Sequence, residues 1–248
     1  MDQTAESGRV LIYEGDSKKL YATDDPQTCV LCWKDDAIAC NGLKKGCIRG
    51  KSAVNSRVND RLMTYLASRG VPTHYIRALS PTEALVRRVR PIPLEVVVRN
   101  VAAGTLAERL GLREGMPMGR PVVEFHLKDE SLNDPLVNDD HILALGWADE
   151  KEIAEMRRLS LKVNSLLSAY LSAVDIELAD FKVEYGVLPE GEMVLCDEVS
   201  LDTCRLWDLR TGEILDMDRF RRDMGGVMDA YLEAEKRILN DATDREDA

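Results

Sequence analysis

A charged strand in the second half of the chain constrains the fold more than any other stretch. Charged and apolar side chains alternate through residues 180–186, and a short turn then leads into an apolar stretch at 193–195. Because successive side chains of a strand point to opposite faces, Asp180, Lys182 and Glu184 should share one face, with the apolar residues between them on the other. The pattern therefore predicts a β-hairpin with one charged face.

The second strand of this hairpin ends in the acidic pair Asp197-Glu198, so the hairpin can bring Glu184 close to Asp197. Proteins usually hold Mg²⁺ with one or two carboxylates plus substrate phosphates, and lysine acts as a point charge for phosphate. Two carboxylates beside Lys182 therefore suit a magnesium–nucleotide site. The alternative is a solvent-facing strand with alternating charges, and the spacing alone does not separate the two.

The charge balance narrows the class of ligand. Asp and Glu number 44 against 33 Lys and Arg, and the resulting net charge of −11 argues against a general nucleic-acid-binding protein. Arginines and lysines gathered locally must therefore meet any anionic ligand. The sequence has no run of about 18 apolar residues, and its polar start at residues 1–7 lacks the apolar core of a signal peptide. We expect a cytoplasmic protein without a membrane partner.

Cysteine and histidine spacing gives little support for a transition-metal site. The chain has six cysteines, and Cys29-x-x-Cys32 could indicate zinc binding or redox chemistry. That pair lies in a strand-like run, where residues three apart face opposite sides, so free buried thiols are the simpler interpretation. The three histidines are isolated and show no zinc spacing, and His141 fits a helix start.

Hydrophobic periodicity and turn residues predict the order of the elements. Residues 1–8 should form a disordered lead-in, and 240–248 an acidic tail, neither with a function. The predicted elements are a three-stranded antiparallel meander at 10–33, a loop at 34–42, a helix from Ser52 to the capping Gly70, strands at 71–76 and 83–89, an apolar strand from 93 into a small-residue turn at 103–105, a short helix at 106–110, a turn at 111–121, a strand at 122–128, a polar loop at 129–141, a helix at 149–173, the charged hairpin, a segment at 200–208 and a final helix at 218–239.

Three groups of residues could receive an anion. The glycine turn from Gly15 to Lys18 can offer backbone N–H groups and a cation to phosphate, although an ordinary hairpin is the simpler interpretation. Arg99, followed by Gly104-Thr105, could bind phosphate, or Arg99 could be a surface ion-pair partner. Three arginines at 219–222 open the predicted final helix, where the dipole disfavours cations, so a bound anion or carboxylate partners are expected there.

Several longer motifs resemble one family. They are Ile92-Pro93-Leu94-Glu95-Val96-Val97-Val98-Arg99 with Ala103-Gly104-Thr105, Asp134-Pro135-Leu136-Val137-Asn138, Asp180-Phe181-Lys182-Val183-Glu184-Tyr185-Gly186, Cys204-Arg205-Leu206-Trp207-Asp208 and Asp218-Arg219-Phe220-Arg221-Arg222. In this order they are similar to the SAICAR synthetase family, and the similarity extends from about residue 10 to 239.

The resemblance implies an ATP-dependent ligase of de novo purine biosynthesis. Such an enzyme joins the carboxylate of 5-amino-4-carboxyimidazole ribonucleotide to the amino group of L-aspartate through an acyl phosphate, with ATP and Mg²⁺. It also implies an α+β fold in which an antiparallel N-terminal sheet lobe at 9–88 meets a second, ATP-binding α+β lobe at 89–239. A homodimer, with no nucleic-acid partner, is expected.

The resemblance also implies roles for individual residues. It assigns catalysis to Lys18, Lys128 and Lys182; ATP binding to Gly15, Lys18, Lys182 and Glu184; Mg²⁺ to Glu184 and Asp197; the 5′-phosphate of the ribonucleotide to Arg99, Thr105 and Arg205; its ribose to Asp180; and the remainder of the substrate cleft to Lys128, Asp134 and Arg221.

Some residues depart from the family pattern. Asp16 stands in the glycine turn where the family usually has a second lysine, and Ile38, Cys40 and Ser52 also differ from their usual residue types. Thr105 replaces a serine but keeps the hydroxyl group. We expect Asp16, Ile38 and Ser52 to cluster in loops around the cleft, where a carboxylate would repel the triphosphate.

These departures leave three hypotheses open. The first is the purine-pathway ligase. The second is a paralogue that uses the same aspartate ligation on a related heteroaromatic carboxylate, for example in nucleoside natural-product biosynthesis. The third is a nucleotide-binding protein with catalysis impaired by Asp16, and the retained Lys182, Glu184 and Arg205 argue against it.

Overall fold

The computed structural model describes residues 9–39 and 42–240. Two antiparallel sheets, a small hairpin and six α-helices make up these ranges. The strands of the first sheet are β1 (Leu11–Glu14), β2 (Lys18–Ala22), β3 (Thr28–Trp33), β6 (Tyr75–Ser80) and β7 (Glu83–Arg87). Their spatial order is β1-β2-β3-β7-β6, so the predicted meander forms three of the five strands of this sheet.

The second sheet forms the floor of the functional cleft. Its strands are β8 (Arg90–Val101), β9 (Pro117–Leu127), β10 (Leu136–Val137), β11 (Ile176–Val187), β12 (Met193–Cys196) and β13 (Cys204–Asp208). The order is β10-β9-β8-β11-β12, and β13 also pairs with β11. The long strand β11 therefore lies in the middle of this sheet, paired with β8, β12 and β13.

A separate hairpin and the helices complete the fold. The hairpin consists of β4 (Asp36–Ala39) and β5 (Lys44–Cys47). The helices are α1 (Lys51–Ser68), α2 (Gly104–Leu110), α3 (Asp139–Leu145), α4 (Glu150–Ser172), α5 (Asp218–Arg221) and α6 (Val227–Leu239), and a 3₁₀ turn covers Glu130–Leu132. The predicted α+β class with an antiparallel N-terminal sheet is confirmed.

The principal core lies between the second sheet and the helices α1, α4 and α6. The predicted stripe on α4 packs there, with Met156, Val163 and Leu167 fully buried. Burial of each such side chain contributes about 1.5–3 kcal/mol, so the packing of α4 stabilises the sheet. The same core includes Val58 of α1 and Tyr185 of β11, so it crosses the predicted lobe boundary at residue 88, and that boundary stays a prediction.

Capping residues set the start of two helices. The side chain of Asp149 accepts a hydrogen bond from the backbone of Glu152, and the side chain of Glu152 accepts one from the backbone of Asp149. This capping box sets the start of α4. His141 takes part in the same kind of box at the start of α3, as its predicted helix-start position implies. The described helices include none that combines the length and the apolar character needed to cross a lipid bilayer.

The predicted final helix is wrong as a single element. It is divided into α5 and α6 because Asp223, Gly225 and Gly226 adopt left-handed backbone conformations with φ of 55°, 69° and 59°. As a result Arg219 and Arg221 lie in the last turn of the short α5, where the helix dipole favours cations.

The three arginines have carboxylate partners, which confirms one of the two alternatives predicted for them. Arg221 bonds Asp218 at 2.6 Å and Arg219 bonds Glu213 at 2.8 Å. Arg222 bonds Glu114 at 3.0 Å.

Four further element predictions need correction. The predicted loop at 34–42 contains strand β4, and the Asn41-Gly42 pair, typical of tight hairpin turns, was the missed sequence signal. The strand predicted at 71–76 begins only at Tyr75, because the backbone of Pro72 to His74 bonds Leu195 instead. Strand β9 begins at Pro117, inside the predicted 111–121 turn, and the 129–141 loop carries β10 and the start of α3.

Candidate active site

Strand β11 carries the charged row that its alternating sequence predicts. Asp180, Lys182 and Glu184 line a cleft on one face of the sheet. The three apolar residues that follow them in alternation are at most 1% exposed and belong to the core. The register Glu184↔Cys196 between β11 and β12 then places Asp197, the next residue, at the same end of the cleft.

The cleft consists of two adjoining chambers. The lysine chamber is about 620 Å³ and is lined by Lys18, Lys45, Lys128 and Lys182 together with carboxylates. The arginine chamber is about 300 Å³ and is lined by Arg99, Thr105, Asp180 and Arg205. Lys18, Lys182, Asp197 and Arg221 line both chambers, so one ligand could extend from one chamber into the other.

Lys18 reaches the cleft from the glycine turn and joins two consecutive carboxylates. Its ammonium donates to Asp197 and, at 2.8 Å, to Glu198. Asp197 has a left-handed backbone with φ of 64°, a conformation that Asp and Asn tolerate better than most residues. This turn at the end of β12 directs both carboxylates to the same lysine.

Two further lysines hold the other carboxylates of the lysine chamber. Lys128 donates to Glu184 at 2.6 Å, and Lys182 donates to Glu95. Glu95 of β8 lies directly opposite Glu184 of β11 in the sheet register. Like charges at opposed positions destabilise a sheet, so the lysines between them offset a repulsion that the strand pairing creates.

Burial and charge together set the protonation of this cluster. Burial and repulsion by Asp197 raise the pKa of Glu184 above its ordinary value. Burial alone would also raise the pKa of Asp197, but the three lysines outweigh it and the pKa is lowered. Burial opposes the charge on Lys18, Lys128 and Lys182, yet the neighbouring carboxylates raise the pKa of each. The lysines therefore stay cationic at neutral pH.

The two carboxylates Glu184 and Asp197 fit a hard divalent cation by their chemistry. Mg²⁺ prefers oxygen ligands and usually takes only one or two carboxylates from the protein, with phosphate and water completing the shell. Both carboxylates line the lysine chamber, and cationic lysines neutralise them there.

A buried ion-pair chain builds the arginine chamber. Arg99, 3% exposed, donates to Glu124 at 2.7 Å, to Asp180 at 2.8 Å and to the hydroxyl of Thr105 at 3.2 Å. The Asp180 carboxylate also accepts from Arg205 at 2.9 Å. Arg99 is therefore a buried ion-pair partner, and the alternative of a surface ion pair is wrong.

Arg205 continues this chain toward α5. Its Nε donates to Asp218 at 2.9 Å, and Asp218 also accepts from Arg221 at 2.6 Å. Burial would lower the pKa of Arg205, but Asp180 and Asp218 raise it. The second terminal nitrogen of Arg205 lies against Gly104 at the start of α2.

The structure brings every predicted site residue to the cleft. Gly15, Lys18, Lys128, Asp134, Lys182, Glu184, Asp197 and Arg221 line the lysine chamber, and Arg99, Thr105, Asp180 and Arg205 line the arginine chamber. Their individual roles stay predictions. The ribose role expected of Asp180 must be compatible with a carboxylate that already accepts from two arginines.

Four charged or hydrogen-bonding residues of the site received no role in the sequence analysis. Glu95 and Lys45 line the lysine chamber, Glu198 lines the arginine chamber, and Trp33 donates to Glu198 at 2.9 Å. An acidic residue within the apolar run of β8 was the available signal for Glu95. The run of two acids after β12 was the signal for Glu198, whereas Trp33 gave none.

The residues that depart from the family pattern divide into two sets. Asp16 and Ile38 line both chambers, as expected. The expectation for Ser52 is wrong, since it is buried in the first turn of α1 and its hydroxyl donates to Asp35 at 2.6 Å. Asp35 also accepts from the backbone of Gly50 and so caps the start of α1. Cys40 lies outside the described residues.

Gly104→Ala should disturb the arginine chamber. Gly104 has φ of 49°, and an added Cβ would lie 2.6 Å from Nη2 of Arg205. The left-handed backbone costs about 1–2 kcal/mol with a Cβ present, and the guanidinium must also move. We expect the KM for the phosphate-bearing substrate to rise about tenfold or more, measured by steady-state kinetics.

Gly111→Ala is the matched control for this variant. Gly111 ends the same helix with φ of 63°, but an added Cβ would meet nothing within 4 Å. It should cause similar strain and leave the KM unchanged. Equal KM values for the two variants would show that Arg205 does not depend on Gly104.

The family model for SAICAR synthetase matches residues 11–238. The phosphoribosylaminoimidazole-succinocarboxamide synthase of Coprothermobacter proteolyticus is 51% identical over 228 residues, which cover 92% of this chain and 97% of that protein. The crystal structure of the enzyme of the same name from Ehrlichia chaffeensis has a TM-score of 0.91 and 39% identity, covering 92% of this chain and 98% of that one. A structure of SAICAR synthetase in complex with ADP has a TM-score of 0.89 and 41% identity, covering 91% of this chain and 96% of that one.

Proposed function

The chain belongs to the SAICAR synthetase family, and we propose how the residues of its two chambers divide the family's reaction between them. The protein is an ATP-dependent ligase of de novo purine biosynthesis that joins the carboxylate of 5-amino-4-carboxyimidazole ribonucleotide to the amino group of L-aspartate. The paralogue with another acceptor and the catalytically impaired nucleotide-binding protein are not favoured by these comparisons. The single observation that carries the division of roles is the junction of a lysine-lined chamber with an arginine-lined one.

The lysine chamber would hold ATP. Lys18 and Lys182 would donate to its phosphates, with the backbone at Gly15 beside them and Lys128 close to the reacting carboxylate. The support is that the pKa of each lysine is raised and that all three line the lysine chamber. Each can exchange a bond to a protein carboxylate for a bond to a phosphate oxygen without changing its charge.

Glu184 and Asp197 would hold Mg²⁺. Their donor chemistry supports this role, because a pair of carboxylates beside a nucleotide is the usual protein contribution to a magnesium site. When bound, the ion supplies neutralisation of the phosphate charge as the phosphoryl group is transferred. The chain's own part is to hold the two carboxylates at the end of the β11–β12 hairpin, where their register brings them together.

The arginine chamber would receive the ribonucleotide. Arg99, Thr105 and Arg205 would bind its 5′-phosphate, Asp180 its ribose, and Asp134 and Arg221 the region where the two chambers join. The terminal nitrogen of Arg205 beside Gly104 and the hydroxyl of Thr105 support a phosphate position at the start of α2. Guanidinium groups bind phosphate oxygens with fixed geometry, which suits a site that must orient its substrate.

The reaction needs alignment and charge control more than a protein nucleophile. A carboxylate is a poor electrophile because its leaving group would be oxide, and phosphorylation by ATP gives an acyl phosphate that the aspartate amine can attack. The chain contributes by holding two anionic substrates in adjoining chambers and by placing three cationic lysines around the transferring phosphoryl group. We also propose that the protein works as a homodimer in the cytoplasm.

Product analysis tests this function. The protein is mixed with ATP, Mg²⁺, L-aspartate and the carboxyaminoimidazole ribonucleotide, and the mixture is analysed by mass spectrometry. We expect a succinocarboxamide product and one ADP for each product formed. ADP release without that product, or binding of ATP without turnover, would contradict the ligase function.

Asp16→Lys tests whether the carboxylate in the glycine turn faces the triphosphate. Asp16 is exposed and lines both chambers, so it should repel phosphate. An exposed charge at about 4 Å contributes about 1 kcal/mol in water, so we expect the KM for ATP to fall at least about fivefold. Asp24→Lys, at an exposed turn between β2 and β3, is the control and should change nothing. An unchanged KM in Asp16→Lys would show that this side chain does not face the phosphates.

A further inference from the structure

Lys18 has two carboxylate partners of different character. Asp197 is half-buried and lines both chambers, whereas Glu198 is 1% exposed and lines only the arginine chamber. The ammonium of Lys18 lies 2.8 Å from Oε1 of Glu198. A lysine has three N–H donors, so these two carboxylates leave one donor for a ligand.

Trp33 holds the other oxygen of Glu198. Its indole Nε1 donates to Oε2 of Glu198 at 2.9 Å, and the ring is 3% exposed. Trp33 and Lys18 are direct cross-strand neighbours in the register of β2 and β3. The indole nitrogen only donates, so it can bond this carboxylate but cannot replace it as a partner of the lysine.

We propose that Glu198, oriented by Trp33, is the positioning residue for Lys18. The inference rests on the proposed contact between Lys18 and the phosphates of ATP. If Asp197 serves as a cation ligand, it cannot also remain a full partner of the lysine. Glu198 then holds the ammonium at the junction of the chambers and leaves two donors directed at phosphate oxygens.

The burial of Glu198 separates this role from the two obvious alternatives. Both of its oxygens have partners, one in Trp33 and one in Lys18, so a cation bound to either oxygen would have to share it with a donor. A merely structural ion pair between the first sheet and the segment after β12 would not need to end at a lysine that lines both chambers. The geometry therefore favours a role for Glu198 in fixing the position of the Lys18 ammonium.

A double-mutant cycle tests the inference. The variants are Lys18→Ala, Glu198→Gln, their combination, and Trp33→Phe, which removes the indole donor but keeps an aromatic ring. Misplacement of a catalytic group by about 1 Å can cost 100-fold in rate, so we expect kcat to fall about 10- to 100-fold in Glu198→Gln. Trp33→Phe should show a smaller loss in the same direction.

Two readouts separate positioning from binding and from stability. Calorimetric binding of ADP in the absence of Mg²⁺ should not be weakened in Glu198→Gln, because the variant removes a negative charge near the phosphates. The KM for L-aspartate should also be unchanged, and Glu190→Gln, at an exposed turn, should match the wild type throughout. A fall in the thermal midpoint with unchanged kcat at a temperature where the variant is folded would mean a structural role and would overturn the inference.

The cycle also separates failure of this inference from failure of the proposed function. If Glu198 acts through Lys18, adding Glu198→Gln to Lys18→Ala should lower kcat no further. Additive losses would overturn the positioning role and leave the role of Lys18 intact. A normal kcat in Lys18→Ala would instead contradict the proposed role of Lys18 at the phosphates, and the inference would fall with it.

Discussion

Asp197→Asn should lower kcat at least about 100-fold, with a higher Mg²⁺ concentration needed for half-maximal rate. The variant removes one of two carboxylates proposed to hold the cation, and losses of this size are typical when one charge-stabilising group of an active site is removed. Asparagine tolerates the left-handed backbone that Asp197 adopts at φ of 64°, so the turn after β12 should be kept. Steady-state kinetics over a Mg²⁺ titration, with ATP saturating, measures both effects.

Asp175→Asn is the matched control for this variant. Asp175 has a similar φ of 57°, is exposed, and lies between α4 and β11, away from both chambers. It should leave kcat and the Mg²⁺ dependence unchanged. A Mg²⁺ dependence unchanged in Asp197→Asn as well would exclude this carboxylate from the cation site and leave its role as the partner of Lys18.

Arg99→Met should destabilise the protein by about 3–5 kcal/mol. Arg99 is 3% exposed and bonds two carboxylates that are themselves buried, Glu124 and Asp180. Removing one partner of a buried ion pair leaves charge without compensation, which costs far more than the pair itself contributes. For a chain of this size the thermal midpoint should fall by on the order of 10 °C, measured by calorimetry without substrates.

Arg158→Met is the surface counterpart of this change. Arg158 pairs with Glu155 at 2.6 Å on the exposed side of α4, and exposed pairs contribute about 1 kcal/mol or less. A loss of similar size in both variants would mean that the arginine chamber does not depend on its ion-pair chain. The KM for the ribonucleotide should rise in Arg99→Met alone.

The Arg99→Met effect should shrink at acid pH. Burial would raise the pKa of Glu124, but His126, Arg99 and Arg109 outweigh it and lower the pKa from 4.5 to about 2. A carboxylate with a lowered pKa contributes stability above its unfolded value that is lost as the pH falls through the folded value. The stability difference between wild type and variant should therefore decrease between pH 4.5 and about 2, followed by urea unfolding at each pH.

The local sequence pattern predicted the elements that are long and regularly periodic. The heptad-like stripe of α4 and the charged alternation of β11 both appear at the expected positions, because each buries one face of a regular element. The predictions that failed depend on non-local bonds or on backbone conformation. Segment 71–74 bonds Leu195 more than 120 residues away, and left-handed residues interrupt the predicted final helix at 223–226.

The sequence by itself determined which face of β11 is charged, which family the motifs resemble and which residues could bind nucleotide and cation. Only the tertiary structure decided that Lys18 shares Glu198 with Trp33, that Glu95 opposes Glu184, and that Ser52 bonds Asp35 at the start of a helix away from the cleft. The physical reason is distance along the chain. A strand's own alternation is set by its covalent geometry, whereas a pair such as Lys18 and Glu198, separated by 180 residues, forms only when the folded chain brings β2 and the end of β12 together.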